Sequence, residues 1–316
     1  MFQKRLQKPA ALVQLEALHR RLPPHHPAYA AIQEEYHSAA AGYYGEKSLT
    51  RVLERFAGKA HIFQNIRLPV RHEHTQIDAL LLLPDAAIII EVKHWRGELQ
   101  LSSLYGPVHR RYDGHDEHFP SPLLQVEDQA AQFAEWRAGH GLADIPIHTL
   151  IVFSHRESFL HPLPEHTDAR NRIITRNALS RELRSLTAGS TNFAYDIARL
   201  LHHLHADDYP AAANYTAFHN ISRNDITPGV QCPDCQKQGM QRVRESWQCA
   251  QCGLRKKSAH AAALADYKAI FGHHITNREA RDFLQISSRH TCRRLLQPLA
   301  QSPPPRDKRG MYLFKT

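Results

Sequence analysis

The chain has 316 residues, a mean hydropathy of −0.50, and 40 Lys and Arg against 31 Asp and Glu. That length accommodates two or three domains with at least one sizeable core. No apolar run approaches 18 residues and the opening MFQKRLQKPA lacks a signal-peptide core, so a soluble, cytoplasmic protein without a membrane partner is expected. The charge is unevenly spread. Residues 228–316 hold 16 basic and 6 acidic residues, while the first 227 are close to neutral. A basic C-terminal third points to a polyanion partner. The 24 histidines are scattered and form no HExxH-like ligand pattern.

Two helices are expected over residues 10–22 and 28–41, separated by Pro23-Pro24 and the turn at His25-His26-Pro27. They carry no assigned chemistry and are expected to pack on the next domain along the chain. Residues 45–56 read as an amphipathic helix with Leu49, Val52, Leu53 and Phe56 on one side. Glu46 falls in its first turn, where a carboxylate also favours the helix dipole. A strand is expected over 60–68.

The next stretch, QIDALLLLPDAAIIIEVKHWRGE, reads as two apolar strands joined at Pro84-Asp85. Asp78, Glu91 and Lys93 interrupt these strands, and buried carboxylates require partners. Proline cannot take the positive φ of a two-residue primed turn, so a four-residue loop over 84–87 is favoured. Asp78 then faces Lys93, with Glu91 on the diagonal about 7–8 Å away. A two-residue loop would instead set Asp78 directly opposite Glu91. Either parity puts Gln76, Asp78, Glu91 and Lys93 on one face, able to hold Mg²⁺ beside a water.

Residues 105–121 are expected as a polar loop with Tyr105, Arg110, Arg111, Tyr112, His115 and His118. Ser121 caps a helix over 122–138 with Pro122 at its first position, and Gln125 lies in its first turns. Strands over 147–153 and 172–175 and helices over 178–187 and 192–205 complete this part. Residues 208–228 read as a linker.

Four motifs of this region together resemble the NERD (nuclease-related) domain of the PD-(D/E)XK nuclease superfamily. They are Gly42-Tyr43-Tyr44-Gly45-Glu46, Gln76-Ile77-Asp78, Ile90-Glu91-Val92-Lys93 with Gly97, and Ser121-Pro122-Leu123-Leu124-Gln125. Ile77 stands where the superfamily name has Pro. The resemblance covers about residues 40–155. It implies an α/β (α+β) nuclease-like core, a mixed β-sheet flanked by helices, and Mg²⁺- or Mn²⁺-dependent hydrolysis of DNA, with RNA as the lesser option. It also implies that Asp78, Glu91 and the Val92 carbonyl hold the metal and that Glu46 acts through water. Lys93 would serve the attacking water, and Gln76 and Gln125 would orient these groups. The rival expectation is a non-cleaving DNA-binding or DNA-repair accessory protein with a vestigial site.

Cys232-Pro-Asp-Cys235 and Cys249-Ala-Gln-Cys252 form two CxxC pairs thirteen residues apart. Such pairs supply four thiolates to one tetrahedral Zn²⁺, and this ribbon resembles those of bacterial topoisomerases. Cys292 has no partner and is expected in a core.

The last residues read as a small winged-helix-like module. A helix over 261–271 is followed by a capping box at Thr276 and Glu279, a turn at Gln285-Ile286, and a third helix capped by Ser287 or Ser288. Arg289, His290, Arg293 and Arg294 lie on that helix, and Arg306, Lys308 and Arg309 fall in a wing. These seven are the expected nucleic-acid contacts. The expected division is a helical extension over 1–38, a nuclease-like domain over 39–207, a linker over 208–228, a zinc ribbon over 229–256 and the last module over 259–316.

Overall fold

A computed structural model describes residues 1–101, 106–161, 172–188, 193–211, 214–301 and 311–315. They pack as two compact units, residues 1–9 with 40–211 and residues 10–39 with 212–316. Helix α1 (Ala10–Arg21) lies in the second unit, and α2 (Tyr29–Glu54) begins in the second and ends in the first. The break expected within α2 at its glycines is absent. A helical glycine costs about 1 kcal/mol relative to alanine, and the burial of Leu49 and Leu53 along the same helix outweighs that.

The first unit is built on a six-stranded mixed sheet. Its strands are β1 (Phe2–Lys4), β2 (His61–Val70), β3 (Glu73–Leu82), β4 (Ala87–Lys93), β8 (Ile147–Phe153) and β10 (Ile173–Thr175), in that spatial order. Strands β2, β3 and β4 are antiparallel neighbours, whereas β4, β8 and β10 run parallel. Parallel central strands are covered on both faces, and here Ile88, Ile89 and Ile90 are all fully buried. One face packs Leu80, Ile89 and Phe153 against α3 (Pro122–Gly139) and α5 (Ile197–Asp207). The other packs Leu81, Ile88 and Ile90 against Leu49 and Leu53 of α2 and Leu179 and Leu183 of α4 (Arg176–Leu186).

A second sheet of the same unit orders β7 (His115–Phe119), β6 (Val108–Tyr112), β5 (Gly97–Leu101) and β9 (Ser158–Leu160). The expected polar loop at 105–121 is therefore largely a β-hairpin; Tyr105 lies outside the described residues. Asp113 and Gly114 take φ of 52° and 76° at its turn, the left-handed pair that a two-residue hairpin requires.

In the second unit, α1 packs on α7 (Ala259–Phe271), burying Leu15 and Leu18 in a core with Leu264, Tyr267 and Phe283. The N-terminal helix therefore joins the C-terminal core rather than the domain next to it in sequence. Arg21, almost wholly buried, is held by Asp266 at 2.8 Å and by the carbonyls of Thr227 and Gly229. Residues 214–228 are packed rather than strung out. They contain α6 (Tyr215–Phe218), a 3-10 turn at Arg223–Asp225, and the buried Ile221 and Ile226. Strands β11 (Gln241–Val243), β12 (Ser246–Gln248) and β13 (Arg255–Lys256) form a three-stranded antiparallel sheet. After α7 come β14 (His274–Thr276), α8 (Asn277–Leu284), α9 (Arg289–Leu296) and β15 (Met311–Leu313), with β14 and β15 antiparallel. Residues 302–310, the expected wing with Arg306, Lys308 and Arg309, lie outside the described residues.

Candidate active site and metal centre

The hairpin pairs Leu82 with Ala87 and Ala79 with Ile90, and continuing that register sets Asp78 opposite Glu91. The favoured register, with Asp78 facing Lys93, is thus shifted by two residues. Neither Pro84 nor Asp85 has positive φ, so no primed turn is made. The carbonyls of Leu83 and Pro84 are instead taken by the Tyr195 hydroxyl at 2.6 Å and the Ala194 amide at 2.7 Å. Outside donors satisfy the loop, which frees the strands to pair in the closer register.

Asp78 sits where the β3–β4 ladder ends and the β2–β3 ladder skips a residue. The β3–β4 ladder ends at Ala79–Ile90, and the Val92 N–H donates to Asp78 Oδ2 at 2.8 Å. On the other side, the β2–β3 pairing skips Asn65, whose φ of 50° is left-handed. The Lys4 ammonium donates to the Asn65 carbonyl. The carboxylate of Asp78 therefore stands at a gap in the sheet.

Glu91 and Lys93 project toward α3. Lys93 Nζ lies 2.7 Å from Glu91 Oε1 and 2.7 Å from Gln125 Oε1. Gln129, one helical turn beyond Gln125, donates to Glu91 Oε2 at 2.8 Å and to the Gln76 carbonyl at 3.0 Å. Gln76 enters the site through its main chain, its side chain being exposed. Gln129 is 6% exposed and was not singled out from sequence, although its i+4 spacing from Gln125 places both on one helix face.

Glu46 reaches the same carboxylates from α2. A Cβ on Gly45 would lie 2.7 Å from His94 Cβ and 3.0 Å from Ser154 Oγ, so glycine there permits the close approach of helix to strand end. His94 Nδ1 and Ser154 Oγ are 2.9 Å apart. Burial, then the Glu91 charge, pushes Glu46 up to about 7. Burial, then Glu91 and Glu46, raises Asp78 well above the usual carboxylate range. Glu46 Oε2 is buried without a hydrogen-bond partner. A group of crowded carboxylates with an orphaned oxygen is a donor set suited to a hard divalent cation.

In the second unit, the thiols of Cys232, Cys235, Cys249 and Cys252 all lie within 4.8 Å of one another. Each CxxC closes into a knuckle: the Gln236 N–H donates to the Cys232 carbonyl, and the Gly253 N–H to that of Cys249. Left-handed φ at Gln236 and Gly253 (60° and 74°) turns the chain back after each pair. Backbone N–H groups, that of Cys252 first, hold the Cys249 thiol down to about 7. Four thiols on two knuckles could hold one metal ion. Cys292 is buried apart from them, as expected, and burial pushes it up to about 11.

The Thr276 capping box is formed, and Ser288 rather than Ser287 caps α9, accepting from the Thr291 N–H at 3.2 Å. Arg289, His290, Arg293 and Arg294 are exposed on α9, while Cys292, Leu295 and Leu296 are buried.

Residues 41–154 match the model of the NERD family, the nuclease-related domain, and such a domain is found there. No curated protein matches the chain. Among solved structures, that of protein VC1899 from Vibrio cholerae aligns at 12% identity over 50% of this chain and 35% of that one, with a TM-score of 0.25. The chain thus spans about a third of that protein's length. No helix among the described residues is long and apolar enough to cross a membrane.

Proposed function

We propose that the protein is a metal-dependent nuclease that hydrolyses phosphodiester bonds in DNA. The observation that carries this reading is the gap in the sheet at Asp78, where three carboxylates and Lys93 converge. Asp78 and Glu91 would hold a Mg²⁺ or Mn²⁺ ion, with the Val92 carbonyl and Glu46 contributing. That ion would offset charge on the scissile phosphate and favour ionisation of a nearby water. Lys93, fixed between Glu91 and Gln125, positions that water and stabilises the hydroxide as it forms. Gln129 locks Glu91 in orientation by binding its second oxygen. In the second unit the four cysteines would hold Zn²⁺, and this ribbon would grip the nucleic acid together with a winged-helix-like module formed by the helices after it and the β14–β15 pair, α9 supplying the basic face.

The test uses purified full-length protein, labelled DNA and RNA substrates, and Mg²⁺ or Mn²⁺. Asp78→Ala and Glu91→Ala should abolish cleavage while leaving substrate affinity unchanged. Lys93→Ala should lower the rate by about 10²–10⁴-fold with little change in metal affinity. Failure of the wild type to cut any substrate would reject the nuclease reading, and cleavage surviving Glu91→Ala would move the active site elsewhere.

A further inference from the structure

The second unit contains a groove of about 680 Å³ between the knuckle-bearing ribbon and the start of α9. One bank carries Gln241, Arg242 and Arg244, the other Ser287, Ser288 and Thr291. No Asp or Glu lines it. Its chemistry is therefore cationic on one side and hydroxyl-rich on the other, with the first turn of an eight-residue helix adding donors and the positive end of a dipole.

Arg242 is a lining side chain with unmet donors. Its guanidinium lies 5.5 Å from the Trp247 ring centroid, which fixes the arm. Its Nε and Nη1 are buried without a hydrogen-bond partner, and Arg294 on α9 adds a second positive charge nearby. Elsewhere in the unit, Arg20 and Arg21 share Asp266 and Arg223 pairs with Glu279. Among the described residues, Arg242, Arg244, Arg293 and Arg294 make no such ion pair. Glu245 is the acidic group that acts on Arg242, and it leaves an excess of positive charge across Arg242, Arg244, Arg293 and Arg294, which an outside anion would stabilise.

A single small anion would leave much of this surface unused, because Arg289, His290, Arg293 and Arg294 extend it along α9. We infer that the groove between the ribbon and α9 binds the phosphodiester backbone of a nucleic acid strand, with Arg242 and Arg244 on one side and the first turn of α9 on the other. The ribbon then contacts the substrate directly, and ribbon and α9 form one continuous binding track. This inference rests on the reading of the second unit as the part that grips nucleic acid.

The test measures binding of labelled single-stranded and duplex oligonucleotides to the full chain by fluorescence anisotropy. Divalent metal is omitted and salt is varied, with inorganic phosphate as a competitor. Arg242→Gln combined with Arg244→Gln should weaken binding by roughly tenfold or more and make the slope of log K against log salt shallower by about 1–2, one for each lost phosphate contact. Zinc content and Tm should match the wild type. If Arg242→Gln disturbs the ribbon, Arg244→Glu at the exposed turn carries the same expectation. Millimolar phosphate should compete only weakly; full displacement by it would mean a small-anion site and overturn the inference. If Arg293→Gln with Arg294→Gln weakens binding while the Arg242 and Arg244 variants leave affinity and slope unchanged, the groove falls and the gripping reading stands. A wild type that binds no nucleic acid overturns both.

Discussion

At Glu46, the residue that ties α2 to the site, burial and a neighbouring charge set the proton balance. Its ionisation at about 7 lies above the ordinary 4.5, so the folded chain binds this proton more tightly than the unfolded chain does. That contribution to stability is fully present below about pH 4.5 and is lost as pH rises through about 7; Asp78 acts in the same direction. Metal-free protein should therefore show a Tm that falls between about pH 5 and 8, with a shallower fall in Glu46→Gln. Added Mg²⁺ should flatten the profile, since a cation favours the ionised carboxylates. A Tm that rises across this range without metal would contradict the assignment. The residues that interrupt an apolar strand, Asp78, Glu91 and Lys93, were legible because charge in such a place needs a reason. Gln129 was not, since an amide on a helix that is otherwise mixed in polarity carries no signal until its partner, Glu91 Oε2, is known.

The elements were legible in proportion to the regularity of their side-chain pattern. The isoleucine run of β4 announced a buried strand, and the double CxxC announced the ribbon. The hairpin register is not legible locally: Pro84 in an isolated turn favours the longer loop, whereas Tyr195 and Ala194, about 110 residues further on, take up the carbonyls of Leu83 and Pro84. The β6–β7 hairpin was missed although Asp113-Gly114 is a strong local turn signal, because charged and histidine-rich strands lack the apolar alternation of a half-buried sheet. Arg110 and Arg111 instead face Glu117 and Asp116 across the pair. For the ribbon, the expected outcome is about one zinc per chain, with Cys249→Ser losing the metal and melting the β11–β13 sheet while leaving the metal response of the first unit intact. Metal analysis and near-UV circular dichroism check this. Disulfides among these cysteines in protein purified under reducing conditions would refute it.

Across the whole molecule, chain order and packing order diverge. Charge asymmetry is plain in composition, but the division into units is not, since sequence adjacency places the first helices with the neighbouring nuclease-like domain, whereas α1 packs in the second unit. Leu15, Leu18 and Leu22 are buried in the C-terminal core, and each such side chain contributes about 1.5–3 kcal/mol. A fragment of residues 212–316 should therefore melt well below the same unit in the full chain, with a broad transition. Supplying residues 10–39 as a separate peptide should raise its melting temperature. Equal melting with and without that peptide would show that α1 adds nothing to this core.

The pairing of Arg21 with Asp266 spans 245 residues, and this distance is also a time. At roughly 5–20 residues per second, translation takes on the order of 10–50 s to cover it. For most of that interval α1 is free of the ribosome with its apolar stripe and its future buried cation unmatched. The sheet of the first unit can close during the wait, because β1 through β10 are synthesised before Ala259. The nascent chain can thus close its first unit before α7 is complete, with one helix held in reserve, and this helix is the segment a chaperone would have cause to hold.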